Sequence, residues 1–461
     1  MNKHAVNNPF IPHNEEEIAE MMQNLGIRSS EELFRDIPSE LIINKEPDFE
    51  GPLSEKEMIS RIFSIASKNM SFPKLQLHIG QGAYLRYVPA VVKEILRRSE
   101  FLTSYTPYQP EASQGMLTAL FEYQSLMAEL LDLEIVNSSM YDWSTALAEA
   151  GRMAIRLTGK KKILVGRYIF HERLETLNTY IEPMGGSIKE IGYTSDGKLK
   201  VDELKQSLDD SAALYIEYPN SLGFITQNLD ELAEIVHAKG AYFIVGVEPT
   251  VLGVLKSPGE IGADIAVGEG QSLGLPLSFG GPSLGIFACK DDPKMLRNMP
   301  GRLIGMTEDV NGVDRCFTMV LQTREQHIKR EKATSNICTN QALMAIGVAA
   351  YLALLGRNGL RELAEYILTL TSIAMKKFAE LRFVKIPLQG IPHYQEFAYS
   401  VSGLTASQLL KKLLEKGIIG GFNISELYPE FGESIVTCFT EVHDLRSVEN
   451  YVAALTEVAV K

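Results

Sequence analysis

The sequence predicts an α/β fold: a large domain on a mostly parallel sheet, then a small C-terminal α/β domain. Three observations carry this expectation. Short apolar runs alternate with amphipathic helical stretches through the middle of the chain, as parallel strands joined by helical crossovers require. A glycine- and proline-rich stretch, Asp264–Gly285 (DIAVGEGQSLGLPLSFGGPSLG), links two of those runs. A second, shorter series of helices and strands begins near residue 358. The expected organisation is an N-terminal helical arm over 1–70, a large domain over 71–357 and a small domain over 358–461. A length of 461 residues independently asks for more than one core.

The elements follow in order. Asn14 precedes Glu15, Glu16 and Glu17, so it caps a helix whose first turn is acidic. Ile18, Met21, Met22 and Leu25 recur at helical spacing, and Gly26 ends the run. Ser30 and Ser54 are expected to cap further short helices, and Pro38 to open another turn. These pieces form an arm that must pack on something larger. Helix 90–98 leads to the string YTPYQPEASQG at Tyr105–Gly115, where two prolines impose an extended path. Its tyrosines carry polar tips on apolar bodies. A plain linker seldom spends two tyrosines, two glutamines and a glutamate so closely, so the string is read as functional. Ser113 is expected to cap the helix over 115–131.

Candidate strands are 162–165, 187–191, 213–217, 242–247, 264–267 and 284–288. The helices between them are 143–157, 172–181, 201–208 and 228–239. Further on, helix 360–378, strands 383–386, 396–401 and 434–439, and helices 406–416 and 447–460 make the smaller unit. The apolar run Ala342–Leu355 falls short of the roughly 20 residues a membrane span needs and is read as a buried helix.

Composition narrows the function. Hydrophobic residues make up 45% of the chain and charged ones 22%, as in globular proteins. A net charge of −13 argues against nucleic acid as a partner. Four dispersed cysteines give neither a disulfide framework nor a zinc site, and suit a reducing cytoplasm. No apolar signal core opens the sequence, and no membrane association is expected.

Ligands of such sheets bind at the carboxyl ends of the strands. Those ends carry His171, Tyr218-Pro219-Asn220, Glu248-Pro249 and Gln271. Ser144 and Thr145 open a helix whose N–H groups could hold a phosphate. Each has a plainer reading: Ser144 as an N-cap, His171 as a surface residue, Glu248 as a turn residue. Arg302, Arg324, His327, Lys329, Arg330 and Lys332 form a basic region ahead of Asn336, Thr339 and Asn340. It is either a solvated face or an anion or carboxylate contact.

A strand, a glycine-rich return and a second strand are also what fold-type-I pyridoxal-phosphate (PLP) enzymes place around their Schiff-base lysine. Here no lysine stands between Lys256 and Lys290, and Gln271 sits about where it belongs. A carboxamide cannot form the imine.

The string at Tyr105–Gly115, the run LQTREQHIKREKATSNICTNQAL at Leu321–Leu343, the stretch 264–285 and the opening IPHNEEEIAEMMQNLGIRSSEELFRDIP at 11–38 closely resemble the glycine dehydrogenase (decarboxylating) family, the P-protein of the glycine cleavage system. In many prokaryotes that enzyme is split into two related polypeptides. The missing lysine fits the alpha half, subunit 1. The resemblance implies that a beta subunit holds PLP covalently and that this chain does not. It implies decarboxylation of glycine and transfer of the aminomethyl group to the lipoyl arm of the H-protein. It implies a heterotetramer of two alpha and two beta chains. Tyr105, Thr106, Tyr108, Gln109, Glu111 and Gln114 are then expected to complete the partner's active site. Ser144, Thr145, His171, Glu248 and Gln271 are expected to line a vestigial cofactor pocket, with His171 at the ring-stacking position and Glu248 near the pyridinium partner. Two alternatives stay open: a self-contained PLP enzyme using another lysine, of which Lys256 is nearest, and a purely structural subunit.

Overall fold

The computed structural model describes residues 10, 13–43, 45, 48, 51–335, 337 and 339–459. Asn336, Cys338, Ile11, Pro12 and Val460, all drawn on above, lie outside the described residues. By internal contacts the chain divides into two units, Met1–Met70 and Ser71–Lys461.

The first unit holds helices Glu15–Leu25 and Glu55–Ala66 and two 3-10 turns, Ser30–Phe34 and Ser39–Leu41. Asn14 and Ser54 cap the helices through complete capping boxes with Glu17 and Glu57. Ser30 does not cap: it is the first residue of its turn, and Ser29 before it makes no side-chain cap bond. None of the residues in these four elements is buried.

The second unit is built on a seven-stranded sheet. From edge to edge it runs Ile135–Val136, Gly285–Cys289, Ile265–Glu269, Tyr242–Val247, Ser211–Tyr218, Lys162–Gly166 and Ser187–Ile191. The last five are mutually parallel, and Gly285–Cys289 runs antiparallel to both its neighbours. The central strand Ser211–Tyr218 is buried at every position, as expected of a strand covered on both faces. Leu214, Ile216 and Val245 face one core with helix Gln114–Leu131, while Ala213, Tyr215 and Ile244 face another with helix Trp143–Thr158. Strand ends differ from the sequence expectation by at most two residues.

Several elements were not anticipated. Leu303–Glu308 and Arg315–Val320 form an antiparallel hairpin. Gln76–Leu77 pairs in parallel with Ile418–Ile419. Ser113 stands before helix Gln114–Leu131 but makes no side-chain cap. The expected boundary at 357/358 falls inside helix Ala342–Ala379, at a break where Gly356 takes φ 57° and ψ −173°. By length and composition this helix could cross a membrane. Its residues Met344–Ala349, Tyr351 and Leu352 are instead buried in the core of the sheet.

The C-terminal part is a four-stranded antiparallel sheet of Val384–Lys385, Glu396–Val401, Ser434–Cys438 and Phe422–Asn423. It is fastened to the loops at the carboxyl ends of the large sheet. Gly223, with φ +81°, sits so close that a Cβ would stand 1.9 Å from the Glu396 carbonyl oxygen. Only glycine meets both demands. The Glu396 side chain accepts hydrogen bonds from the Gln81 N–H at 2.6 Å and the Tyr84 hydroxyl at 2.8 Å. Complete burial raises this carboxyl from 4.5 to about 7, against the pull of those two donors.

A raised folded-state value means that the folded chain holds this proton more tightly than the unfolded chain. The associated stability is full below the unfolded value and is lost as pH rises through about 7. Glu396→Gln removes that dependence. The stability of the variant relative to wild type should rise by ~3 kcal/mol between acid and neutral pH. Thermal unfolding of both proteins across this range checks it; a flat difference curve contradicts it.

Candidate functional site

The site is assembled where the strands end. Helix Trp143–Thr158 starts beside the sheet, and Asp142 caps it. Asp142 Oδ1 accepts the Thr145 N–H at 2.7 Å and the Thr145 hydroxyl at 2.8 Å. Thr145 is thus half of a capping box, and the capping role considered for Ser144 belongs to Asp142. The Trp143 N–H donates to Glu269 Oε2 at 3.3 Å. The other oxygen of Glu269 accepts the N–H groups of Gln271 and Leu284 at 3.0 and 2.9 Å. Glu269 therefore ties the helix start to the glycine-rich return. Burial pushes its carboxyl upward, opposed by Ser283 and these N–H donors.

Gln271 stands just beyond strand Ile265–Glu269, with Gly270 between, in the turn Gly270–Ser272, and is buried, at the place expected for a lysine. Its Nε2 donates to the Leu275 carbonyl at 2.8 Å, while its Oε1 is buried without a protein partner among the described residues. Lys256 is not an alternative nucleophile here. Its amine is exposed and pairs with Asp230 at 3.0 Å.

His171 does not enter the site. It opens helix His171–Ile181 and is exposed. Two residues on, a helix has turned by more than half a circle, and Arg173 points inward instead. Arg173 is 5% exposed. Its guanidinium carbon lies 3.4 Å from the centroid of Trp143 and 4.0 Å from that of Phe170. Its Nη1 donates to Glu217 Oε1 at 2.9 Å. Glu217 also accepts the Tyr215 hydroxyl at 3.1 Å, and that hydroxyl accepts Trp143 Nε1 at 3.0 Å. The four side chains close a ring of contacts. Burial alone would lower the Arg173 pKa, and the facing Glu217, with Tyr215 and Tyr84, more than offsets it; burial in turn pushes the Glu217 carboxyl upward against the pull of Arg173.

Glu248 is likewise committed. Arg86 donates to Glu248 at 3.3 Å, to Gln395 at 2.5 Å and to Glu441 at 3.0 Å. Thr250 bonds both Glu248 and Tyr394. The plain turn reading of Glu248 is set aside by this ion pair, whose side chains are 1% and 3% exposed.

These residues do not fit a bound PLP. The amine is absent, and the helix-start amides of Trp143 and Thr145 are taken. The Trp143 face is covered, and Glu248 answers Arg86. Arg86, Asp142, Trp143, Arg173, Glu217 and Glu269 had no role in the sequence reading. Only Trp143 carried a local signal, as the single tryptophan of the chain, flanked by Asp142 and Ser144.

The string at Tyr105–Gly115 lies elsewhere, on the hairpin. Arg302 donates to the Thr106 hydroxyl at 2.9 Å and to the Tyr108 hydroxyl at 2.7 Å, and pairs with Glu325 at 3.3 Å. Gln114 bonds the Phe317 backbone in both directions, at 2.9 and 2.8 Å. Tyr105, at 72%, and Gln109 and Glu111 are exposed. Of the basic region, Arg302 and Arg324 are buried, so it is not simply a solvated face. Arg324 donates to the Met299, Gly301 and Leu321 carbonyls.

Over residues 8–452 the chain matches the family described as Glycine cleavage system P-protein. It is 47% identical to the probable glycine dehydrogenase (decarboxylating) subunit 1 of Staphylothermus marinus, covering 98% of each chain. It is 46% identical to the protein of the same description from Pyrococcus horikoshii, covering 98% of this chain and 99% of the relative. A solved glycine decarboxylase (P-protein) of the glycine cleavage system, in inhibitor-bound form, superposes with a TM-score of 0.86 at 39% identity, covering 97% of this chain and 99% of that one. A cysteine desulfurase from Thermococcus onnurineus shares the fold alone, with a TM-score of 0.62 at 17% identity over 85% of this chain and 99% of that one. The architecture is that of the fold-type-I PLP enzymes.

Gln114→Ala removes both bonds to the Phe317 backbone at a half-buried position. It should destabilise the chain by about 1–3 kcal/mol. Urea unfolding checks this; a change within about 0.5 kcal/mol would mean the string is not anchored here.

Proposed function

The chain belongs to the glycine cleavage system P-protein family, and on that premise we propose that it is the alpha half, subunit 1, of a heteromeric glycine dehydrogenase (decarboxylating). The single observation that carries the reading is Gln271. The scaffold presents a carboxamide at the position where the chemistry requires an amine. A related beta chain then supplies the lysine and holds the PLP. The proposed reaction releases CO2 from glycine and passes the aminomethyl group to the lipoyl arm of the H-protein. No step of it runs through a cofactor on this chain.

What this chain contributes is shape and contact. Arg302 and Gln114 hold the string Tyr105–Gly115 so that Tyr105, Gln109 and Glu111 face outward. In our reading these three and the exposed Tyr108 ring meet the partner's site, with Thr106 and Gln114 as the support behind them. Such a wall excludes water and shapes the lipoyl approach. The unit Met1–Met70 presents Ile59, Ile62 and Phe63 to solvent, which suits a chain completed by assembly. We propose an alpha–beta pair, two of which make the working unit, in a reducing cytoplasm. The free thiols of Cys289, Cys316 and Cys438 are consistent with that setting.

The test uses the two chains purified apart and then mixed, with glycine and lipoylated H-protein. Release of CO2 should be undetectable with this chain alone. It should be at least about ten-fold faster in the mixture than with the beta chain alone. A beta chain that reaches the full rate without this one, or decarboxylation by this chain alone, would overturn the assignment.

A further inference from the structure

The absence of a lysine leaves a simple expectation: restore it, and the cofactor returns. The structure argues otherwise. A phosphate at the start of helix Trp143–Thr158 would need the first-turn amides. The Thr145 N–H is held by Asp142 at 2.7 Å and the Trp143 N–H by Glu269 at 3.3 Å. A flat pyridine ring near that helix start needs an aromatic face to lie on. The Trp143 face carries the Arg173 guanidinium, 3.4 Å from the ring centroid, with Phe170 beside it at 4.0 Å. Arg173 is itself held by Glu217 at 2.9 Å, and Glu217 by Tyr215.

We infer that this chain's cofactor site has been refilled by its own side chains: Arg173, paired with Glu217, stands where a ring would stack, and Asp142 and Glu269 stand where a phosphate would bind. Loss of PLP is therefore fixed at three places and not at position 271 alone. The consequence concerns affinity for the free cofactor, not only its covalent capture. It also gives the site a structural task, since a buried guanidinium stacked on two rings and paired with a carboxylate fills volume that would otherwise be a cavity. The inference stands on this chain alone, and its test reads binding rather than glycine turnover, so it can fail while the subunit assignment holds, and the reverse.

The experiment has two arms. In the first, Gln271→Lys is incubated with PLP. An imine would form by condensation of the new amine with the aldehyde, with loss of water. No visible absorbance that survives dialysis and disappears on borohydride reduction is expected. The Tm of wild type should also be unmoved by PLP or inorganic phosphate. A stoichiometric, borohydride-trapped adduct at position 271, or a saturable rise in wild-type Tm with either probe, would overturn the inference. In the second arm, Arg173→Ala should lower Tm by several degrees, and millimolar guanidinium should restore part of the loss where equal sodium chloride does not. A variant as stable as wild type, or one that guanidinium cannot rescue, would show that Arg173 is not the filler. The second arm and the wild-type titration decide the matter even if Gln271→Lys fails to fold.

Discussion

Two buried arginines govern this molecule. Arg86 and Arg173 lie in the interior at the carboxyl edge of the large sheet, and neither can stay charged there without its carboxylates. Pairing Arg86 draws Glu248 from the sheet, Gln395 from the start of the small sheet and Glu441 from the segment after it into one contact. Pairing Arg173 draws the end of the central strand toward the start of helix Trp143–Thr158. Glu396 binds the loop at Gln81–Tyr84 to the same region. These contacts come from parts of the chain far apart in sequence. Replacing either arginine by a neutral residue would leave carboxylates buried without a counter-charge, which costs more than the lost contact itself.

The same constraint bears on the proposal that this PLP-enzyme scaffold persists without its cofactor. A site emptied of its ligand would leave polar groups and a void in the middle of the fold. Here the carboxylates and the helix-start amides answer one another and the rings are covered, while Gln271 Oε1 and Arg86 Nε stay without a protein partner among the described residues. In the proposed reading the working surface lies outward, at the string Tyr105–Gly115. Its conformation is set by Arg302 and by the backbone of the hairpin strand Arg315–Val320. A segment held at both ends by hydrogen bonds is ordered before any partner arrives, which lowers the entropy cost of association.

Much of the fold was legible in the sequence because parallel strands buried on both faces read as short continuous apolar runs. Tyr242–Val247 came out with the same ends, and so did the edge strand Ser187–Ile191, which reads instead by its alternation Ser-Ile-Lys-Glu-Ile. The hairpin Leu303–Glu308 with Arg315–Val320 did not, since LIGMTE and RCFTMV show no clean alternation and only their inner halves meet the core. The sequence reading of two helices, 342–355 and 360–378, agrees with the break at Gly356 inside Ala342–Ala379. At the site, the missing lysine was visible as an absence at Gln271. Arg173 was not visible. A histidine at a strand end attracts notice, while an arginine two residues into a helix reads as a solvated face. Charge pairing between residues such as Arg173 and Glu217, or Arg86 and Glu441, depends on tertiary approach and has no local pattern.

The claim beneath all of this is that the chain's own groups, not a ligand, satisfy the helix start and the glycine-rich return. Amide hydrogen exchange read at Trp143, Thr145, Gln271 and Leu284 tests it most directly. All four amides should be protected in the chain without cofactor, and millimolar PLP should leave their exchange unchanged. Rapid exchange at these positions that PLP then slows would contradict the account.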